Sequence, residues 1–365
     1  MSRLSRALAA IFKVKQVALV PLILVVLVAG GAVAFGYTGG WFTPDRRTPA
    51  QIVEVLSDRA GNPVGHRRHH AKGICFTGEL EANGAGVHLS VAPMFAAGRY
   101  PVIGRFAIAV GDPKAPDIVG RVRSMAIDVI TPDGQEWRSG MNNSPVFAVS
   151  TPEAFYDLTL AADVVPQTGK PDPDAMQRFA ASHPEAAAFG QWARTAPWTG
   201  SFADQEYNSL NAFRFVDDHG ISRAVRWSMR PDEPPREVTQ AELAGLGPDF
   251  LADDLRDRLR HGPLHWHLWV TLAAPGDPTN DATKAWPAER EQVDVATLIL
   301  EQMQDEAGGP CRDINYDPLI VPAGIRPSDD PLLPARSSVY ANSYDRRTAE
   351  AHFHGGLPRS AADPR

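Results

Sequence analysis

The chain has 365 residues, 44% of them hydrophobic and 22% charged, and its formal net charge is −7. This length supports one large domain or two small ones, with an ample core. The negative charge, without any long basic run, argues against a nucleic acid as a partner. The two cysteines, Cys75 and Cys311, form no CxxC motif, which argues against a zinc cluster or thioredoxin-like chemistry and leaves their pairing open.

An apolar stretch without charged residues covers residues 17–37, and crossing a bilayer takes about 20 such residues. Only basic residues stand among the charged positions of residues 1–16, so the positive-inside rule predicts a cytoplasmic amino end and an exported body. Ala32-Val33-Ala34 also matches the cleavage site of a signal peptide. Because the apolar run continues past it, we expect an uncleaved single-pass anchor in a bacterial inner membrane, with the body in the periplasm or otherwise outside the cytoplasm.

Alternating apolar residues dominate the body of the chain, which we take as residues 38–351. The alternation has the period of two that is typical of β-strands. It predicts strands at residues 72–82, 87–92, 102–110, 121–130, 147–149, 211–216, 221–229, 264–272 and 293–303. Because turn signals such as Asn83-Gly84 join closely spaced strands, we expect an antiparallel barrel rather than a βαβ sheet.

Capping signals predict helices around these strands. Thr48-Pro49 and Thr151-Pro152 each place an N-cap threonine before a proline at the first helical position. Further helical patterns cover residues 173–182, 184–193, 248–260 and 334–351. The predicted fold class is therefore α+β, an antiparallel β-barrel with surrounding helices, preceded by one transmembrane helix, and residues 352–365 are predicted to be a disordered tail.

The segment His66-Arg67-Arg68-His69-His70-Ala71-Lys72-Gly73 concentrates basic and titrating side chains at the start of a predicted strand. Such a cluster is, by itself, typical of a solvated turn. It could also bind a metal ion through His66, His69 and His70. Its interpretation depends on patterns elsewhere in the chain.

Three later patterns accompany this cluster. Gly104-Arg105-Phe106 and Met141-Asn142-Asn143 lie in or near predicted strands, and Arg336-Ser337-Ser338-Val339-Tyr340 lies in the last predicted helix, which continues to Arg347. In this order and at these separations, the chain resembles the haem catalases over most of its body. The resemblance is closest to the small catalase-related peroxidases of bacteria.

The resemblance implies a haem b cofactor and assigns a role to each matching residue. It implies that His70 and Asn142 are catalytic, that Tyr340 ligates the iron and that Arg336 bonds this tyrosine. The other residues expected at the cofactor are Arg67, Arg105 and Arg347 at the haem carboxylates, Phe155 packed over the haem, and His69 in the distal channel.

The residue types suit this chemistry. A phenol is a poor iron ligand at neutral pH, but iron and an adjacent guanidinium both favour its phenolate form. Arg336 and Tyr340 stand four residues apart and share one face of a helix. A neutral imidazole can take the peroxide proton and return it, whereas an amide can orient the peroxide without titrating. Guanidinium forks bind carboxylates in a planar geometry.

Two positions depart from the family pattern. Ala107 stands where catalases carry a serine that bonds the distal histidine, so we expect His70 to be loosely held. His69 replaces a valine and makes the distal channel more polar. We therefore expect peroxidase activity to exceed the dismutation of peroxide to oxygen. The extra terminal regions of the large catalases have no counterpart here, so neither their tetramer nor NADPH binding is expected, and the oligomeric state stays open.

The sequence therefore predicts an exported, membrane-anchored haem peroxidase. It would reduce hydrogen peroxide or a small organic peroxide with an unidentified organic electron donor. One alternative is the rearrangement of lipid hydroperoxides, as in the allene oxide synthases that share this fold. Another is haem binding or sensing without turnover, although His70 and Asn142 would then be unnecessary. The metal site at His66, His69 and His70 would leave Tyr340 unexplained.

Overall fold

The computed structural model describes residues 3–38, 46–165 and 170–353. The chain divides into two compact units, Met1–Thr48 and Pro49–Arg365. The first unit contains helix α1, Arg3–Thr38, whose most apolar window is Pro21–Thr38. In the described part of the chain, α1 is the one helix long and apolar enough to cross a membrane, a property that signal sequences share. The predicted tail lies outside the described residues from position 354 onwards.

Two helices of the second unit begin at the predicted prolines, Pro49 and Pro152, whereas the short helix Gln240–Ala244 was not predicted. Thr151 Oγ1 accepts a hydrogen bond of 3.1 Å from the amide of Ala154, and Pro152 opens the helix. The helices are α2 (Pro49–Arg59), α3 (Pro152–Ala161), α4 (Pro173–Ser182), α5 (Ala187–Thr195), α6 (Gln240–Ala244), α7 (Phe250–Leu259) and α8 (Leu332–Phe353).

The strands of the second unit pair with antiparallel neighbours. They are β1 (Gly73–Ala82), β2 (Gly98–Ile108), β3 (Arg123–Ile130), β4 (Glu136–Asn142), β5 (Val164–Val165), β6 (Lys170–Pro171), β7 (Trp198–Thr199), β8 (Tyr207–Asn208), β9 (Phe213–Val216), β10 (Ser222–Pro231), β11 (Glu237–Val238), β12 (Leu264–Leu272), β13 (Gln292–Asp305) and β14 (Ile325–Pro327).

A closed barrel of eight strands organises this unit. Its order is β12-β13-β1-β2-β3-β4-β8-β10, and pairing of β10 with β12 closes the ring. Strands β9 and β14 extend the sheet beyond β10. Large buried side chains fill the interior, among them Phe106, Trp137 and Trp266. The predicted antiparallel barrel with helices around it is confirmed, and closure removes the exposed edges that an open sheet would leave.

Two predicted strands are wrong. Residues 87–92 include the end of a 3-10 helix, Ala85–His88, and continue as irregular chain packed against the core. Residues 147–149 are also irregular, although the amide of Phe147 donates to the carbonyl of Ala282 at 2.8 Å. Leu89 and Ala92 in the first segment, and Val149 in the second, are buried in apolar clusters without joining a sheet, whereas Val87 and Val91 are exposed. Alternating polarity therefore does not by itself define a strand.

The two cysteines form a disulfide. Cys75 lies on β1 and Cys311 lies 236 residues later, in the segment that follows β13. Both side chains are fully buried beside Tyr316. The question that the sequence left open is thus settled in favour of pairing, and β1 is tied to a segment that reaches the candidate site.

Candidate active site

A cavity of about 440 Å³ lies between the barrel wall and helices α2, α3 and α8. Strands β2, β3 and β4 contribute residues to its wall. The nine residues that the family resemblance assigned to the site all line it, whereas His66, which belonged only to the alternative metal site, does not. The nine residues are His69, His70, Asn142, Arg67, Arg105, Phe155, Arg336, Tyr340 and Arg347.

His70 is held by hydrogen bonding on the barrel side of the cavity. Its Nδ1 lies 3.0 Å from Ser124 Oγ, and Ser124 Oγ donates to Asn142 Oδ1 at 2.6 Å. The backbone of His70 has φ 55°, a left-handed conformation that is uncommon for residues other than glycine and that recurs at functional sites. The expectation that Ala107 leaves His70 without a hydroxyl partner is therefore wrong, because Ser124 supplies one.

Burial keeps both cavity histidines neutral near pH 7. Burial lowers the pKa of His70 well below 6.5, and the neighbouring His69 and Arg105 act in the same direction. Burial, followed by the charge of Arg59, lowers the pKa of His69 to about 4. The His69 ring lies 4.6 Å from that of His70 and 6.4 Å from that of Phe155. An imidazole at position 70 is thus available as a base.

Helix α8 carries the tyrosine and its arginine. Arg336 Nη2 donates to Tyr340 Oη at 3.2 Å, and Arg336 Nη1 donates to Asn211 Oδ1 at 2.5 Å. Asn211 Nδ2 in turn donates to Asp330 Oδ2 at 2.8 Å. A Cβ added at Gly140 would lie 3.4 Å from Arg336 Nη2, so the absence of a side chain there leaves room for the guanidinium. This chain of bonds fixes the cation beside the phenol.

A cluster of arginines lies at another part of the cavity wall. Arg67 and Arg105 both form ion pairs with Glu306, and Arg105 reaches its two oxygens at 2.9 and 2.7 Å. Arg67 Nη2 also donates to the carbonyls of Cys311 and Ile314, at 3.1 and 2.9 Å. Arg347 Nη1 donates to the backbone carbonyl of Arg312 at 2.8 Å.

The charges of this cluster stabilise Glu306 as an anion and leave an excess of positive charge. Burial opposes its ionisation, but Arg105 and Arg67 together hold the pKa of Glu306 below its ordinary value. Burial, and then the charge of Arg105, lower the pKa of Arg67 to about 9, so Arg67 stays cationic at neutral pH. Arg67 and Arg105 together bring two positive charges to the one carboxylate of Glu306.

Gly73 permits this arrangement. A Cβ at this position would lie 2.5 Å from Cζ of Arg105 and 2.4 Å from the carbonyl oxygen of Phe106. Neither distance is tolerated by real side chains, and the carbonyl belongs to the backbone of β2. The glycine that ends the basic cluster is therefore required by the packing of an arginine in the cavity wall.

These residues fit a haem b. The cavity has a largely apolar wall, a phenol paired with a guanidinium, and two lining arginines, Arg67 and Arg105, that share the single carboxylate of Glu306. This part of the wall therefore carries a net positive charge that suits the carboxylates of the cofactor. Ser144 Oγ, which lines the cavity near Asn142, is buried and has no hydrogen-bond partner among the described residues. The histidine-rich metal site fits poorly, because the described residues contain no cluster of metal ligands.

Three functional side chains escaped the sequence analysis. Ser124, Glu306 and Asn211 are far in sequence from the residues that they contact, with separations of 54, 201 and 125 positions for the contacts with His70, Arg105 and Arg336. For Ser124, the missing hydroxyl at position 107 was only a partial signal, because identifying Ser124 as its replacement requires the register of β2 and β3. For the other two, no local pattern pointed to the contact.

The sequence is similar to those of catalases and catalase-related peroxidases. A family model described as Catalase matches residues 48–358. The chain is 38% identical to a catalase-related peroxidase of Synechococcus elongatus over 82% of its own length and 89% of the relative. It is 32% identical to a catalase-related peroxidase of Mycolicibacterium paratuberculosis, over 87% of this chain and 98% of the relative.

Solved structures show the same fold at lower identity. A bacterial catalase superposes with a TM-score of 0.71 at 24% identity, and covers 86% of this chain. A fungal catalase gives a TM-score of 0.71 at 21% identity over 82% of this chain. The chain spans 63% of the length of each of these two proteins, so the likeness concerns the barrel and its helices.

Proposed function

Because this chain belongs to the catalase family and is a peroxide-acting oxidoreductase, we propose that it is a haem b peroxidase that uses an organic electron donor. The substrate would be hydrogen peroxide or a small organic peroxide. The observation that carries the proposal is the meeting, around one cavity, of the His70–Ser124–Asn142 bonds and the Arg336–Tyr340 pair.

Haem, when bound, would supply the two-electron chemistry with peroxide, and Tyr340 would be its iron ligand. Arg336 would favour the phenolate form of Tyr340 through its charge and its hydrogen bond. The arginine cluster around Glu306 would bind the haem carboxylates, since its excess charge is positive. Phe155 would pack against the ring from α3.

Proton handling falls to His70. Its burial keeps the imidazole neutral, so it can accept the proton of a peroxide and return it to the leaving oxygen. Asn142 would orient the peroxide through its amide group, because that group donates hydrogen bonds without titrating. Both residues line the cavity and are joined through one hydroxyl, so their positions are coupled.

Rearrangement of lipid hydroperoxides is the second candidate. It is favoured by the apolar part of the wall, to which α2 contributes Ile52, Val53 and Leu56 and α3 contributes Leu158. Both reactions need the same tyrosine, but they differ in products. A rearrangement leaves the two peroxide oxygens in the organic product or water and consumes no electron donor, whereas a peroxidase oxidises the donor.

We also propose that α1 anchors the protein in a bacterial inner membrane, with the catalytic body outside the cytoplasm. The apolar window Pro21–Thr38 supports the anchor. The disulfide supports an oxidising compartment, because thiols are kept reduced in the cytosol. Neither observation depends on the haem assignment.

The test uses full-length protein purified in detergent and reconstituted with haem. Hydrogen peroxide consumption, oxygen release and oxidation of a phenolic donor are measured together, with a lipid hydroperoxide as a second substrate. We expect donor oxidation to accompany peroxide loss, and His70→Ala to abolish it, while His219→Gln in an exposed turn leaves it unchanged. Peroxide loss without donor oxidation, accompanied by a rearranged lipid product, would favour the second candidate. Haem binding with no turnover would contradict both.

A further inference from the structure

Ser124 is placed to bond the two polar residues of the cavity at once. Its Oγ lies 3.0 Å from His70 Nδ1 and donates to Asn142 Oδ1 at 2.6 Å. A hydroxyl has one hydrogen to donate and lone pairs to accept with. Since Ser124 gives its hydrogen to Asn142, it can only accept from His70, whose Nδ1 must then carry the proton.

We propose that Ser124 is a positioning residue that fixes the donor and acceptor roles of both His70 and Asn142. With the proton of His70 on Nδ1, its Nε2 is left as the free lone pair of the ring. With Oδ1 of Asn142 occupied by the serine, its remaining hydrogen-bonding group is the NH₂ donor. One hydroxyl therefore presents a base and a donor together, which is the pair that cleavage of a peroxide needs.

The opposite polarity of the same contacts would disable the site. If the Asn142 amide donated to Ser124 and Ser124 donated to His70 Nδ1, the proton of the ring would sit on Nε2. The ring would then have no lone pair for the peroxide proton, and the asparagine would present an acceptor oxygen. A carboxamide carbonyl accepts hydrogen bonds and cannot donate, so the contact of Oδ1 with Ser124 favours the first arrangement.

The strand register explains how the serine reaches both partners. Ser124 on β3 stands opposite Ala107 on β2 and opposite Asn142 on β4, so these residues form one row across three strands. Directly opposite residues project from the same face of a sheet. Both Ala107 and Ser124 line the cavity accordingly. A serine at position 107 would therefore place its hydroxyl beside that of Ser124.

This geometry defines matched variants. Ser124→Ala removes the hydroxyl, and Ser124→Thr retains it. Ser124→Ala combined with Ala107→Ser moves the hydroxyl to the facing position of the neighbouring strand. If the serine acts only by filling space, the alanine variant and the double variant should behave alike, because neither restores the volume at position 124.

The first readout does not depend on haem. Full-length protein labelled with ¹⁵N at histidine is compared by NMR in its haem-free form, with His70→Gln used to assign the ring. We expect the wild type and Ser124→Thr to show a neutral His70 ring protonated on Nδ1, and Ser124→Ala to show a shift of the population toward the Nε2-protonated form. Protonation on Nε2 in the wild type, or an unchanged ring in Ser124→Ala, would overturn the proposal.

The second readout rests on the proposed function. The rate at which haem-loaded protein reacts with the first equivalent of hydrogen peroxide is measured by stopped flow. Ser124→Ala should slow it about 10- to 100-fold, which is the usual effect of a misplaced proton acceptor, whereas Ser124→Thr should stay within about threefold of wild type. The double variant should recover part of the loss. If the protein binds no haem, this rate is lost for all variants while the NMR result stands, so the two failures are distinguishable. Equal rates in Ser124→Ala and wild type would contradict the positioning role.

Discussion

Removal of the Cys75–Cys311 disulfide should destabilise the body and loosen the arginine cluster. The bridge joins residues 236 positions apart, and the chain-entropy relation then gives a stabilisation of about 5 kcal/mol as an upper limit. Residual structure in the unfolded chain reduces such values, so we expect a loss of about 2–5 kcal/mol in Cys75→Ala/Cys311→Ala.

The disulfide also fixes a segment whose backbone carbonyls accept hydrogen bonds from arginines of the cavity wall. The carbonyls of Cys311 and Ile314 bond Arg67, and the carbonyl of Arg312 bonds Arg347. Loss of one hydrogen bond to a charged group costs about 1.5 kcal/mol, which corresponds to about a tenfold faster loss of haem. We therefore expect both a lower unfolding midpoint and faster transfer of haem to an excess of a haem-scavenging apoprotein.

The assay is guanidinium unfolding of full-length protein in detergent, followed by tryptophan fluorescence, with and without a reductant. The wild type should unfold at a lower midpoint with reductant, whereas the double alanine variant should not respond to it. Identical midpoints and identical rates of haem loss for the wild type and the variant would refute this reasoning.

Three further predictions concern acid stability, packing and location. The pKa of His69 is about 4 in the fold and 6.5 when unfolded, so the unfolded chain binds the extra proton. The contribution of His69 to stability therefore falls as pH drops from about 6.5 to 4, by up to about 3 kcal/mol. In urea unfolding, His69→Gln should reduce the pH dependence, to which His70 also contributes, and the exposed His219→Gln should leave it unchanged. Gly73→Ala should cost about 1–3 kcal/mol through the clash with Arg105, whereas Gly247→Ala enters open space and should be neutral. Full-length protein should remain with bacterial membranes after carbonate extraction, and recovery of a soluble form without α1 would show that this helix is a cleaved signal instead.

Features that depend on residues close together in the chain could be predicted from the sequence. The alternation of β1 and β12 and the capping of α3 predicted their elements correctly, and the four-residue spacing of Arg336 and Tyr340 predicted their contact on one helix face. In each case the structure depends on neighbours along the chain, which a sequence displays directly. Residues 87–92 show the limit, because alternating polarity also arises where irregular chain packs on a core.

Contacts across strands were not readable. Ala107 led to the expectation of a loose His70, since a lost hydroxyl on β2 has no visible replacement unless the register with β3 is known. Ser124 supplies it from the facing strand, so the expected excess of peroxidase activity over dismutation loses one of its two grounds and now depends on His69 alone. Glu306 was equally hidden, because it meets Arg105 across 201 positions of the chain.

Tyr340 as the iron ligand is the central claim, and the absorption spectrum of the haem-loaded protein tests it most directly. The wild type should show the high-spin ferric spectrum of a phenolate-ligated haem, since Arg336 donates to Tyr340 Oη at 3.2 Å and favours the anion. Tyr340→Phe should lose the haem or change to a spectrum without phenolate character, while Tyr344→Phe, one turn further along α8, should keep the wild-type spectrum. An unchanged phenolate spectrum in Tyr340→Phe would contradict the account.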